Sequence, residues 1–255
     1  MPPNPYNTTQ ITPALAFEKH IYNRDNFAHY FRWTHALKHL KRGLKVLDLG
    51  CGTGEFAEVI YQNKLKAEKY LGLDVRELTI KNNKEYFAKQ DWIHFEQKDL
   101  VKELIGEQEK FDLITSFEVI EHIGKYNGEA FLDNLAKFCN EKTTILLSTP
   151  CYHPRWKVGA SLIYNPETKQ REVGEFTYTE LEKLLNKHFK IEKVYGTFAS
   201  QKDYKPMIKD GSWEKEMYDT LKEYYDVNLL SNLMAPLFPN QSRNCLWVLT
   251  LRRPK

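Results

Sequence analysis

The sequence predicts an α/β fold, a doubly wound and mostly parallel sheet with helices on both faces. Three observations carry that expectation. Short apolar runs alternate with helix-period segments from residue 44 to residue 148. The first run, Val46 to Leu49, breaks abruptly into Gly50, Gly52 and Gly54. The second and third runs are each closed by an acid, Asp74 and Asp99.

Residues 1–12 carry Pro2, Pro3 and Pro5, which favours an extended arm over a helix. Between Asp25 and Arg42, Phe27, Tyr30, Phe31, Leu37 and Leu40 fall on one helical face, with Asp25 as a possible cap and Gly43 as the stop. Residues 1–43 therefore read as an arm and a cap helix ahead of the sheet, which occupies 44–255. Apolar residues at 44, 46, 47 and 49 suit a strand covered on both faces. The glycines after it let the backbone turn sharply and approach a ligand that a Cβ would hold off. Residues 55–61 then resume as a helix with Phe56, Val59 and Ile60 on its apolar side.

Further strands are expected at 70–74, 92–96, 110–117 and 143–148, with a helix over 127–140 between the last two. Their order implies parallel strands joined by right-handed crossovers. Residues 150–178 form a long segment with Pro, Gly, Trp and several basic side chains, expected as a lid loop. Thr179 and Glu182 have capping-box spacing for a helix carrying Leu181, Leu184 and Leu185. Strands over 191–199 and 244–251 bring the sheet to seven. The intervening 200–243 is an insertion with a helix expected near 213–226.

The glycine string is G-x-G-x-G, not the G-x-G-x-x-G of dinucleotide-binding turns. Asp74 stands 20 residues beyond Gly54 at the end of the second strand, where a carboxylate can accept hydrogen bonds from both ribose hydroxyls of a nucleoside cofactor. The pattern Asp48-x-Gly50-x-Gly52-x-Gly54 resembles the first motif of the class I S-adenosylmethionine (SAM)-dependent methyltransferases. The resemblance implies a final antiparallel hairpin of strands six and seven, and a loop that wraps the methionine part of SAM. It further implies that Asp99 bonds the adenine amino group, with Leu100 covering the ring. The cofactor-binding set it implies is Asp48, Gly50, Cys51, Gly52, Thr53, Gly54, Asp74, Val75, Asp99, Leu100 and Phe117. A helix ahead of the first strand closes over the cofactor in that family, so Tyr22, Arg24, Tyr30 and Arg32 are candidates to touch SAM or the acceptor.

Directly after the fourth strand stand Glu118, Glu121 and His122. On one helical turn they would share a face. Two carboxylates and an imidazole so placed can hold Mg²⁺ or Mn²⁺, or His122 can act as a general base on a hydroxyl. The string resembles both the ubiquinone-biosynthesis O-methyltransferases and the small-RNA 2′-O-methyltransferases, and His153 is a further candidate ligand. All three residues are therefore candidate catalytic groups. The leading reading is O-methylation of a small molecule. Arg155, Trp156, Lys157, Tyr164, Lys169 and Arg171 in the lid support a nucleic-acid acceptor instead. A SAM-binding scaffold without turnover is the non-enzyme alternative.

Composition bounds these readings. With 42% hydrophobic and 28% charged residues the chain has an ordinary globular make-up, and a net charge of +3 does not by itself predict nucleic-acid binding. No apolar stretch approaches a membrane span and the amino terminus lacks signal-peptide regions, so a cytoplasmic protein is expected. Cys51, Cys139, Cys151 and Cys245 fall at no metal or redox spacing, which predicts reduced thiols.

Overall fold

The computed structural model describes residues 24–102, 108–153 and 162–252. The strands are β1 (Lys45–Leu49), β2 (Lys69–Asp74), β3 (Ile93–Gln97), β4 (Leu113–Phe117), β5 (Thr144–Pro150), β6 (Leu162–Asn165), β7 (Gln170–Val173), β8 (Phe189–Ala199) and β9 (Ser242–Leu251). All but β6 and β7 join one seven-stranded sheet in the order β3-β2-β1-β4-β5-β9-β8. Strands β1 to β5 pair in parallel, while β9 runs antiparallel between β5 and β8. The parallel sheet and the antiparallel final pair are both as expected.

The reason β1 is central is visible in its side chains: Val46, Leu47 and Leu49 are all essentially buried, so both faces of the strand are covered. One face packs under α1 (Arg24–His39), α2 (Glu55–Gln62) and α3 (Glu77–Tyr86), through Ala36, Phe56, Ile60, Ile80 and Phe87. The other packs against α5 (Gly128–Ala136) and α6 (Tyr178–His188), through Phe131, Leu132, Leu135, Leu181 and Leu185. Between β4 and α5 lies only a single turn of helix, α4 (Ile120–Ile123).

Three local expectations are corrected. The lid is not all loop, because β6 and β7 pair as an antiparallel hairpin from Leu162↔Val173 to Asn165↔Gln170. A bulky Leu-Ile-Tyr run suits such a strand, and Lys169 turns the chain with φ 58°. Helix α6 is capped by Thr177 with Glu180, not by Thr179 with Glu182. The same spacing occurs twice in that stretch, so spacing alone could not choose. The insertion holds α7 (Gln201–Tyr204), α8 (Trp213–Leu221) and α9 (Val227–Met234), where one helix was expected. Tyr204, Tyr218, Leu230 and Met234 form a small core there with Ala199 of β8. The amino-terminal arm, Tyr22, the Arg24 side chain and residues 155–157 lie outside the described residues.

Candidate functional site

The carboxyl ends of β1, β2, β3 and β4 border one cavity of about 700 Å³. This is where an open parallel sheet binds ligands. Its wall includes Asp48, Gly50, Cys51, Gly52, Asp74, Val75, Asp99, Leu100, Phe117, Glu118 and His122, with His29, Arg32 and Trp33 contributed by α1. Expected residues from four separate segments thus meet in one space. Thr53, Gly54, Glu121 and Tyr30 do not line it. Thr53 donates to Glu55 (2.9 Å), Gly54 caps α2, and Tyr30 faces solvent at 63% exposure.

The turn after β1 takes its shape from glycine. Gly50, Gly52 and Gly54 have φ of 74°, 53° and 79°, in the left-handed region that side chains resist. At Gly50 a Cβ would also come within 2.3 Å of Val119 Cγ2. The Gly50 and Cys51 amides donate to the Leu73 carbonyl (2.7 and 3.0 Å), and Asn83 Nδ2 donates to the Gly52 carbonyl (2.8 Å). Bare backbone is therefore held against the cavity from two sides.

Asp48 lies beneath the turn, accepting from the Tyr70 hydroxyl (2.6 Å) and Thr115 Oγ1 (2.8 Å). Burial pushes its carboxyl up to about 6 against those two hydrogen bonds. Burial, with Asp48 and Asp74 nearby, drives the Cys51 thiol far up, so Cys51 is a small filler and no nucleophile. For Asp74, burial pushes the carboxyl up, but hydrogen bonds from Arg76 and from the Gly52 amide outweigh it and hold it below its usual range. Asp99 receives the Val101 and Lys102 amides on Oδ1 (2.9 and 3.2 Å).

Past Phe117 the structure departs from expectation. Glu118 sits at φ 57°, a left-handed non-glycine residue ahead of α4, so it does not share a helical face with Glu121 and His122. Its carboxylate is taken up by Arg32 Nη1 (2.8 Å), Ser148 Oγ (2.9 Å) and Asn244 Nδ2 (2.7 Å). Glu121 is buried and accepts from Thr149 Oγ1 (2.9 Å). Burial, then the Glu118 charge, push its acid up to about 8. The His122 side chain is 68% exposed, with Nε2 3.9 Å from Glu121 Oε1.

A model of the methyltransferase domain family matches residues 22–189. The chain belongs to the class I SAM-dependent methyltransferases. The ribosomal protein L11 methyltransferase of Thermosipho africanus is 31% identical over 140 residues, 54% of this chain and 48% of that protein. The ubiquinone biosynthesis O-methyltransferase of Bartonella quintana is 27% identical over 153 residues, 57% of this chain and 59% of that protein. The chain thus spans about half the length of the curated relatives it matches. A SAM-dependent methyltransferase structure from Mesorhizobium loti superposes with a TM-score of 0.55 at 19% identity, covering 89% of this chain and all of that one.

As a methyltransferase site, the cavity fits SAM: bare glycine backbone and a low-pKa carboxylate stand at the ends of adjacent strands. It does not fit the metal reading. Glu118 is held by Arg32, Ser148 and Asn244 and Glu121 by Thr149, and no group of three or more His, Cys, Asp or Glu among the described residues is placed to hold an ion. The left-handed turn at Glu118 is the cause. No helix among the described residues is long and apolar enough to cross a membrane. Sequence reasoning missed Arg76, Asn83, Ser148 and Asn244: Arg76 folds back onto a carboxylate two residues before it, and the other three act across 30 positions or more. Arg32, a named candidate, is buried beside the cavity and not solvated.

Proposed function

We propose that this methyltransferase transfers a methyl group from SAM to an oxygen of a small molecule, with His122 as the base. The supporting observation is that the His122 ring stands exposed on the wall of the same cavity that holds Asp74 and Asp99. Bound SAM would supply a methyl already activated on a sulfonium. The protein must then align the acceptor, exclude water and remove one proton. Asp74 and Asp99 would hold the nucleoside end and the glycine turn the methionine end, with Phe117, Val119 and His122 on the wall of the same cavity. The Glu121 acid behind the ring is neutral below about pH 8 and places no fixed anion beside His122. The name of the Bartonella relative, an O-methyltransferase, agrees with an oxygen acceptor.

A macromolecular acceptor is the second reading. It is favoured by the β6–β7 hairpin, which exposes Tyr164, Lys169 and Arg171 and meets the cavity wall where the Tyr126 hydroxyl donates to the Tyr164 carbonyl (3.5 Å). Calorimetric titration with SAM and its demethylated product, followed by methyl-transfer screens on small phenols and on RNA, separates the readings. Transfer to phenols that falls by about 10²-fold or more in His122→Ala, with cofactor affinity kept, is the expected outcome. Full activity of that variant removes His122 as base. Binding without transfer to any acceptor leaves a scaffold.

A further inference from the structure

Asp74, the carboxylate assigned to the cofactor ribose, has no acceptor position to spare. Its Oδ1 receives the Arg76 amide (2.9 Å) and Arg76 Nε (3.1 Å), and its Oδ2 receives the Gly52 amide (3.0 Å) and Arg76 Nη2 (3.3 Å). A carboxylate offers about four acceptor sites. Two are held by backbone amides that orient the group, and the other two by one guanidinium. That guanidinium also lies across the glycine turn, with Nη2 3.6 Å from where a Gly52 Cβ would be and Glu55 Oε2 at the same distance.

We infer that Arg76 is a side-chain gate over the ribose site: its guanidinium closes Asp74 in the free protein and must swing away for the cofactor hydroxyls to take its place. This rests on the reading of the cavity as a SAM site. The gate opens easily by its exposure, since the Arg76 side chain is 59% solvent-accessible while that of Asp74 is 8%. The bidentate pair favours closure, and Glu55 nearby adds to it. A ligand that binds only the open state has its apparent affinity reduced by the open fraction. Ion pairs this exposed shift an equilibrium by up to about fivefold. Removing the gate should therefore raise the association rate by about that factor and leave the dissociation rate nearly unchanged.

The test is stopped-flow binding of S-adenosylhomocysteine, followed by protein fluorescence with calorimetry as a check, on the full chain and on Arg76→Ala, Arg76→Lys and Asp74→Asn. Support is an association rate raised about threefold to fivefold in Arg76→Ala, with Arg76→Lys between it and the parent because a lysine keeps the charge without the fork. Faster dissociation at unchanged association would make Arg76 a contact to the bound cofactor and overturn the gate, as would unchanged rates. If the parent chain, folded by circular dichroism, binds no S-adenosylhomocysteine, the cofactor reading itself falls and the gate with it. Binding by the parent that Asp74→Asn retains in full overturns the gate alone.

Discussion

Exchange of Glu118 for alanine should destabilise this protein far more than its position at the edge of a cavity suggests. The Arg32 side chain is 3% exposed and its Nη1 is 2.8 Å from Glu118, whose own side chain is 26% exposed. Without that carboxylate the guanidinium keeps the Ala28 carbonyl (3.2 Å) and Ser148 Oγ (3.1 Å), both uncharged. Stranding one charge of a buried pair costs about 3–5 kcal/mol. The left-handed backbone at residue 118 stays strained in either case, so it does not offset the loss. Arg32→Met should cost less, about 1–3 kcal/mol, because Glu118 keeps Ser148 and Asn244 and is open enough to take water. In the double variant no charge is stranded. Urea unfolding of the four proteins should give a coupling of about 2 kcal/mol. Additivity to within about 0.5 kcal/mol would refute the pairing.

Two further outcomes follow from the same geometry. Glu121 has its folded acid raised from 4.5 to about 8, so the native state keeps a proton that the unfolded chain releases above pH 4.5, and stability is lost as pH rises from there toward 8. Glu121→Gln removes that loss: in denaturation at pH 5 and pH 8.5 it should gain on the parent by at most about 4 kcal/mol across the window, and a difference that stays flat with pH would contradict the buried neutral acid. Gly50→Ala should cost about 2–4 kcal/mol, from the left-handed backbone and from the overlap with Val119 Cγ2 at 2.3 Å, and should abolish cofactor binding; a variant that melts with the parent and binds as well would remove the strained turn from the argument.

The sheet was legible because its signals are local. Buried parallel strands read as unbroken apolar runs, and Gly50, Gly52 and Gly54 announce a turn that no other residue type adopts easily. Asp74 and Asp99 were legible for a related reason, since the ends of consecutive parallel strands converge on one edge. Residues bonded across the fold were not legible. Asn244 reaches Glu118 from 126 positions away, and Asn83 holds a turn 31 positions before it. Neither lies in a pattern that periodicity can detect. The Glu118, Glu121 and His122 string fails differently: its spacing predicts one helical face, but one left-handed residue at its head rotates the first member away from the other two.

That left-handed residue also explains how α1 is fixed. Glycine or asparagine would occupy φ 57° at less cost, yet neither carries the anion that Arg32 needs in the interior. Strain of about 1–2 kcal/mol at Glu118 is smaller than the cost of leaving that guanidinium unpaired. Through this one side chain, α1 is joined to β4, to Ser148 of β5 and to Asn244 of β9. Apolar contacts alone would tolerate rotation of a helix about its axis, because they are non-directional. A charged hydrogen bond at 2.8 Å does not. Arg32 thus sets which face of α1 meets the cavity, and with it the placement of His29 and Trp33, three residues before and one after, on the cavity wall.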